Sequence, residues 1–303
     1  MRNDVEVSGN TATILAPAKL NLYLEVLGKR SDGYHEIITV MQAIDLFDSI
    51  TLTRRPGEIG LRCDSDEIPQ GRDNIAWRAA EAALERFNAG DGVEISIGKR
   101  IPVGRGLGGG SSDAAAVILA ISRLLGTGLQ EEAMRQIAAS VGSDVPFFLE
   151  GGTALCRGRG EKVEPLNSAL KAGFVVISPP ISVSTRTAYE SGGFAERPAS
   201  ILTQAEERCS ILSAGLQRGD FTAVAGMLYN GFAETVFDLF PQLSAVHNNL
   251  TGQLGAATLT GTGSALYCLC ESPGQAHAKA GRVYGSSGDV YVARALSNTG
   301  PGG

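Results

Sequence analysis

Several things are scarce in this sequence, and each scarcity excludes a class of protein. No apolar run approaches the ~18 residues that span a bilayer; the longest, AAAVILAI at 114–121, falls far short. The opening MRNDVEVSGN has no apolar segment of the kind a secretory signal carries. There is no C-x-x-C, and the cysteines Cys63, Cys156, Cys209, Cys268 and Cys270 are scattered and odd in number. That argues for free thiols in a reducing compartment, against a disulfide framework or a zinc site. Net charge is −6 with no basic cluster, which speaks against a nucleic-acid backbone as partner. What remains is a chain of 303 residues, 43% hydrophobic and 19% charged, long enough to bury a sizeable core. A soluble cytoplasmic protein is expected.

The first third reads as strands. TATILAPAKLNLYLEVLG alternates apolar positions at Leu20, Leu22 and Leu24, with a break expected at Pro17 and an end at Gly28. HEIITVMQAI and DSITLTRR are rich in β-branched residues and read as two further strands. NIAWRAAEAALERF is helical, capped by Asp73 or Asn74, and VEISIG alternates as a half-buried strand. A helix is expected from about Ser112 to Leu125 and another over LQEEAMRQIAASVG. Beyond GFVVISPP the chain turns to helical segments, and it ends in ATLTGTGSALYCLC, a helix and DVYVARAL. The last residues, SNTGPGG, read as a disordered tail. Several strands precede the first helix, so the regular β-α-β alternation of a doubly wound sheet is missing. A domain boundary is placed at 165/166.

One loop concentrates the chemistry. Five glycines lie between Gly104 and Gly110, followed by Ser111 and Ser112 and a helical pattern. Glycines bring backbone N–H groups to a ligand without obstruction. The helix N-terminus adds positive potential, so the loop is suited to phosphate. A plain turn needs one or two glycines; five in ordered structure cost roughly 0.5–1 kcal/mol each relative to alanine. The loop is not a Walker A motif, because Gly110 is followed by Ser-Ser and not by Lys-Ser or Lys-Thr. It does satisfy G-x-G-x-x-G at Gly104, Gly106 and Gly109, but without the βαβ order of a dinucleotide fold. No V-A-I-K, H-R-D or D-F-G set of a protein kinase accompanies it. Taken alone, it says only that phosphate is bound.

The stretch PVGRGLGGGSSDAAA resembles the glycine-rich motif of the GHMP kinases (galactose, homoserine, mevalonate and phosphomevalonate kinases). PAKLNLYL (17–24) resembles that family's N-terminal motif and LTGTGSALYCL (259–269) its C-terminal glycine motif. The segments PAKLNLYLEVLGKRSDGYHEIITVMQAIDLFDSI, RDNIAWRA, GSDVPFFLEGGTALCRGRGE and NGFAETVF point to the branch whose acceptor is a methylated polyol joined to cytidine diphosphate. The likeness covers about residues 13 to 295. It implies an α+β, two-domain GHMP kinase fold, N-terminal half like ribosomal protein S5 domain 2 and C-terminal half ferredoxin-like, with the site between them.

The resemblance further implies that Asp144 and Lys19 are catalytic, the acid taking the proton of the attacking hydroxyl and the lysine holding that hydroxyl. Pro102, Val103, Gly104, Arg105, Gly106, Leu107, Gly108, Gly109, Gly110, Ser111 and Ser112 would cradle ATP, with Asn74 and Lys99 near its adenosine, the lysine by way of its side chain or its backbone. Tyr34 would stack on the cytosine and His35 hydrogen-bond it, with Tyr189 on the opposite side. Asn21 and Thr185 would face the polyol and phosphates. Mg2+ would be held by ATP oxygens and Ser112, since the glutamates that ligate it in some relatives have no counterpart. By their own spacing the same residues also read plainly: Asp144 as a turn residue before Pro146, Lys19 as a solvated strand residue, Tyr189 as a surface tyrosine. Another acceptor, a nucleotide-binding regulator without catalysis and a Rossmann oxidoreductase are the competing readings.

Overall fold

The computed structural model describes residues 5–297 except 88–89, 127–130, 195–196, 199, 284 and 286–287. The expected disordered tail, from residue 298 on, lies outside the described residues, as do Leu129 and Gln130 of an expected helix.

The chain opens with β1 (Glu6–Ser8), β2 (Thr11–Lys29), β3 (His35–Arg55) and β4 (Gly60–Cys63). Helix α1 (Ile75–Phe87), strand β5 (Gly92–Gly98) and helices α2 (Gly109–Leu125), α3 (Glu131–Val141) and α4 (Val145–Glu150) follow. Strands β6 (Thr153–Gly158) and β7 (Lys162–Leu166) complete this part. The order across the sheet is β1-β2-β3-β5-β4, with β6 on β3 and β7 on β6. HEIITVMQAI and DSITLTRR are one continuous strand, not two. Its first half, Ile37–Gln42, pairs with β6 and its second, Ser49–Arg55, with β5. Each half thus has its own partner, and no turn intervenes. Pro17 does not break β2 either: a register shift between Pro17 and Ala18 absorbs the missing N–H.

Helix α2 is the centre of this half. Every residue from Ser112 to Ile121 is buried, against α1, α4 and the inner face of β2. Its alanines explain how: small side chains let a helix be enclosed on all sides, and Val117, Ile118, Leu119 and Ile121 supply most of the apolar area. The helix starts at Gly109, three residues before the expected start, because Gly108 takes a left-handed conformation (φ +74°) as its N-cap.

The second half holds β8 (Gly173–Ser178), α5 (Thr185–Ser191), α6 (Ser200–Arg218), α7 (Phe221–Met227), β9 (Tyr229–Asn230), α8 (Ala233–Leu239) and α9 (Pro241–Leu254). Strands β10 (Thr258–Leu259) and β11 (Leu266–Cys270), helix α10 (Pro273–Ala280) and strand β12 (Asp289–Arg294) close the chain. The antiparallel order β10-β11-β8-β12 is that of a ferredoxin-like sheet. Short β9 leaves it to pair in parallel with β2 at Tyr23 and Leu24. No helix among the described residues is long and apolar enough to cross a membrane.

Two glycine segments interlock where the sheets meet. The amide of Ala265 donates to the Arg105 carbonyl at 3.1 Å, and a Cβ on Gly106 would stand 2.2 Å from the Thr260 carbonyl oxygen. Beneath the first segment runs a buried charge triad. Lys99 Nζ donates to Asp48 (2.5 Å) and to Asp113 (2.9 Å), and Asp48 Oδ1 accepts the amides of Arg100 and Ile101. Burial alone would lower the Lys99 pKa, yet the two carboxylates hold it above the ordinary lysine range. The triad fastens the end of β5 and the N-terminal part of α2 to β3, and so sets the position of the loop between them.

Gly106→Ala is expected to destabilise the protein in urea unfolding by at least about 1–2 kcal/mol, from the positive φ alone, with the contact to Thr260 adding to it. Lys99→Met leaves two buried carboxylates without their cation and should cost about 3–5 kcal/mol in the same measurement. Wild-type midpoints for either variant would contradict the packing described.

Candidate active site

A cleft of about 730 Å3 opens between the two halves. Lys19, Asn21, Tyr34, His35, Asp144, Thr185 and Tyr189, drawn from positions 170 residues apart, all line it. A second cavity of about 360 Å3 is lined by Asn74, Lys99 and the loop from Pro102 to Ser111. Gly106, Gly108 and Ser111 belong to both walls, so the loop is the partition between them.

Lys19 is held at the floor of the cleft, 3% exposed. Its amide donates to the Leu107 carbonyl (2.9 Å), its Nζ donates to Asn21 Oδ1 (2.6 Å), and Asp144 Oδ2 lies 4.0 Å away. Burial lowers its pKa, with the charge of Asp144 opposing the shift. Asp144 precedes α4 and keeps its side chain 29% exposed toward the cleft. An ammonium and a carboxylate thus face one opening without being spent on a close ion pair.

Asn21, expected to face the polyol and phosphates, lines the cleft beside Lys19. Its Oδ1 accepts from Lys19 and from the Gly261 amide (2.8 Å), and its Nδ2 donates to Thr39 (2.9 Å). The side chain is engaged within the protein and orients Lys19. Thr185, at the start of α5, stands 3.2 Å from the Thr262 hydroxyl and joins that helix to the second glycine segment.

The hairpin between β2 and β3 carries the aromatic wall. Tyr34 is 51% exposed. His35 stacks on Tyr189, with ring centroids 4.6 Å apart at 25°. His35 thus covers one face of the Tyr189 ring, and the exposed ring at the hairpin tip is Tyr34. Burial, with nearby Lys29 second, lowers the His35 pKa, which keeps the imidazole neutral at pH 7. Burial pushes the Tyr189 hydroxyl up, with Asp144 adding to it. Phe194 and Phe232 meet Tyr189 edge-on and hold it in place.

The glycine loop is open where a phosphate needs it to be. Gly108 caps α2 without a side-chain bond to the helix amides, leaving the N–H groups of the first turn available. A Cβ on Gly108 would collide with Phe148 and Lys19, at 2.8 and 3.0 Å, so this close approach of backbone to lysine requires glycine. Lys99 lines the second cavity with Asn74; its ammonium is used on Asp48 and Asp113 and its amide on Asp64, which leaves its backbone carbonyl for a nucleotide. Two residues depart from expectation here. Arg105 sends its guanidinium across the seam to the Ile181 carbonyl. Ser112 is fully buried behind the loop and does not line either cavity; Ser111 lines both.

Sequence reasoning passed over Arg159, Arg186 and Thr262, which also line the cleft. Arg159 stands in the segment GGTALCRGRGE, but only the fold shows that this turn faces Asp144. Gly160 is so close that a Cβ on it would lie 3.4 Å from Asp144 Oδ1.

Comparison with known proteins shows which family the chain resembles. The model of the GHMP kinase N-terminal domain matches residues 74–152, and that of the GHMP kinase C-terminal domain residues 212–288. A 4-diphosphocytidyl-2-C-methyl-D-erythritol kinase of Gloeobacter violaceus is 37% identical over 287 residues, covering 94% of each chain. One from Pelotomaculum thermopropionicum is 37% identical and covers 94% of this chain and 98% of its own. A crystal structure of 4-(cytidine 5'-diphospho)-2C-methyl-D-erythritol kinase superposes with a TM-score of 0.74 at 35% identity, over 93% of this chain and 98% of that one. A homoserine kinase from Cytophaga hutchinsonii reaches 0.79 at 19% identity, covering 97% and 98%, and shares the fold.

Proposed function

This chain belongs to the GHMP kinases, in the family of the 4-diphosphocytidyl-2-C-methyl-D-erythritol kinases, and from that premise we propose its reaction. It transfers the γ-phosphoryl group of ATP to the 2-hydroxyl of 4-diphosphocytidyl-2-C-methyl-D-erythritol, giving the 2-phosphate and ADP on the way to isoprenoid precursors. The observation that carries this reading is the single cleft in which Lys19 and Asp144 stand between the glycine loop and the Tyr34–His35 hairpin tip. A nucleotide phosphate on one side and a base on the other place the acceptor hydroxyl between them.

The chemistry asked of the protein is mostly positioning and charge. The amides of Gly109, Gly110 and Ser111 at the α2 N-terminus point their partial charge at the phosphates. Asp144 accepts the proton of the attacking hydroxyl, and Lys19 holds that hydroxyl and offsets charge building on the transferring oxygens. Asn21 keeps Lys19 aimed. Neutral His35 is free to exchange a hydrogen bond with the base edge, with Tyr34 beneath it. A galactose- or mevalonate-type acceptor gives this aromatic wall no purpose.

Magnesium fits as an ion carried in by ATP. Among the described residues no cluster of three His, Cys, Asp or Glu could hold a resident metal. Ser111, on the shared wall of the two cavities, would hold it alongside phosphate oxygens. There it would neutralise charge on the phosphoryl group. We place the N-terminal domain at residues 1–165 and the C-terminal domain at 166–296, so that the boundary falls at Leu166, the last residue of β7. Free thiols at all five cysteines support a reducing, cytoplasmic setting.

A phosphorylation assay with ATP, magnesium and a panel of alcohols tests the acceptor. Turnover of the cytidyl substrate is expected; turnover of mevalonate or homoserine with none of the cytidyl compound would overturn the assignment. In that assay Asp144→Asn should lower kcat by roughly 10²–10⁴-fold, the range for a positioned general base. The lowered Lys19 pKa sets a pH dependence. The ammonium is present below its folded pKa and lost as pH rises through it, so kcat/KM should fall on the alkaline side before the ordinary lysine value of about 10.4. Lys19→Arg, whatever its rate, should carry the limb to higher pH, and a limb that stays put in that variant assigns it to another group.

A further inference from the structure

Tyr34 sits at the tip of a hairpin and is half exposed, a position where a ring would ordinarily sample many orientations. Here it is backed. The Arg159 guanidinium lies 4.9 Å from the ring centroid, within the range of a cation–π contact. That arginine is itself anchored, its Nη2 donating to the Ala139 carbonyl at 2.6 Å and its amide to Glu161 at 2.7 Å. The hairpin tip is tied to the same turn from the other side. The Tyr34 amide donates to Asp32 (3.1 Å), Asp32 accepts from Arg30, Arg30 pairs with Glu36, and Glu36 accepts the Gly158 amide (3.1 Å). The contacts close a ring from Tyr34 through the hairpin to the β6–β7 turn and back through Arg159. The next residue of that turn, Gly160, packs on Asp144.

We propose that Arg159, which lines the same cleft, is a positioning residue for the base of the acceptor: it holds one face of the Tyr34 ring and leaves the other as a preformed platform. The inference rests on the acceptor reading above. It adds that the β6–β7 turn sets the separation between the base platform and Asp144, and hence the length of acceptor that brings a hydroxyl to the carboxylate. The guanidinium also draws on the ring's π-electrons, which favours stacking of a polar base over an apolar group.

The test is titration calorimetry with CDP as the probe, run on the wild type, Arg159→Ala, Arg159→Lys, Tyr34→Ala and the double variant. Arg159→Ala should weaken CDP binding by about two- to thirty-fold, the span of a cation–π contact. Arg159→Lys should recover part of the loss, because the ammonium keeps the cation without the planar anchor. The double variant should lose no more than Tyr34→Ala alone, because Arg159 acts through that ring. Additive losses would mean that Arg159 touches CDP directly, and unchanged affinity in Arg159→Ala would mean that it does neither; both overturn the proposal. So does a parallel loss of ATP affinity, which would mark a merely structural arginine. The two readings separate at the wild type: no CDP binding there defeats the acceptor assignment, whereas tight binding that ignores Arg159 defeats this inference alone.

Discussion

The side-chain oxygen of Asn21 accepts the ammonium of Lys19 and the amide of Gly261 together, 2.6 and 2.8 Å away. That one acceptor ties the reactive lysine to the seam between the sheets. The rest of the site is arranged around this constraint. Thr39 receives the amide of the same asparagine, Thr260 bonds its backbone amide, and Tyr267 from the second sheet donates to its carbonyl. A buried polar cluster of this kind is costly when incomplete and specific when satisfied. Here it decides where an ammonium is placed and which half of the protein it answers to.

Around that point the two glycine segments do different work with the same permission. In the first, positive φ and missing side chains let the backbone pass over Lys19 and present helix amides to phosphate. In the second, they let residues 259–265 press against the first. Arg105 shows how the two roles are kept apart. In a loop we propose to meet phosphate, it turns away to the carbonyl of Ile181 just ahead of α5. The glycine loop is thereby fastened to the segment that leads into the helix carrying Thr185 and Tyr189.

The parts of this arrangement that could be read from sequence are those whose chemistry is local. A strand, a run of glycines and a helix start occupy consecutive residues, so the phosphate loop announced itself, as did PAKLN and GSDVP once the likeness to a kinase family was seen. Pairings across the chain were out of reach. The charge triad of Lys99 is invisible in sequence because its carboxylate partners stand 51 and 14 residues away. The tie from Asn21 to the seam is equally hidden, since its donor Gly261 lies 240 residues on. The two halves of β3 read as two strands because their apolar patterns differ, and the patterns differ because β6 covers one half and β5 the other. Serine hydroxyls could not be told apart from sequence: Ser111 and Ser112 are neighbours, but the turn of α2 points one to the cavities and buries the other.

The central claim is that one cleft measures the acceptor from base to hydroxyl, with the Tyr34 face at one end and the Lys19–Asp144 pair at the other. A crystal structure of the ternary complex, with a non-hydrolysable ATP analogue and 4-diphosphocytidyl-2-C-methyl-D-erythritol, measures this directly. The account predicts the cytosine stacked on Tyr34 and the 2-hydroxyl oxygen within hydrogen-bond reach of both Asp144 and Lys19, facing the terminal phosphate held by the glycine loop. A cytosine bound away from Tyr34, or a 2-hydroxyl out of reach of Asp144 with the phosphates in the loop, would contradict it.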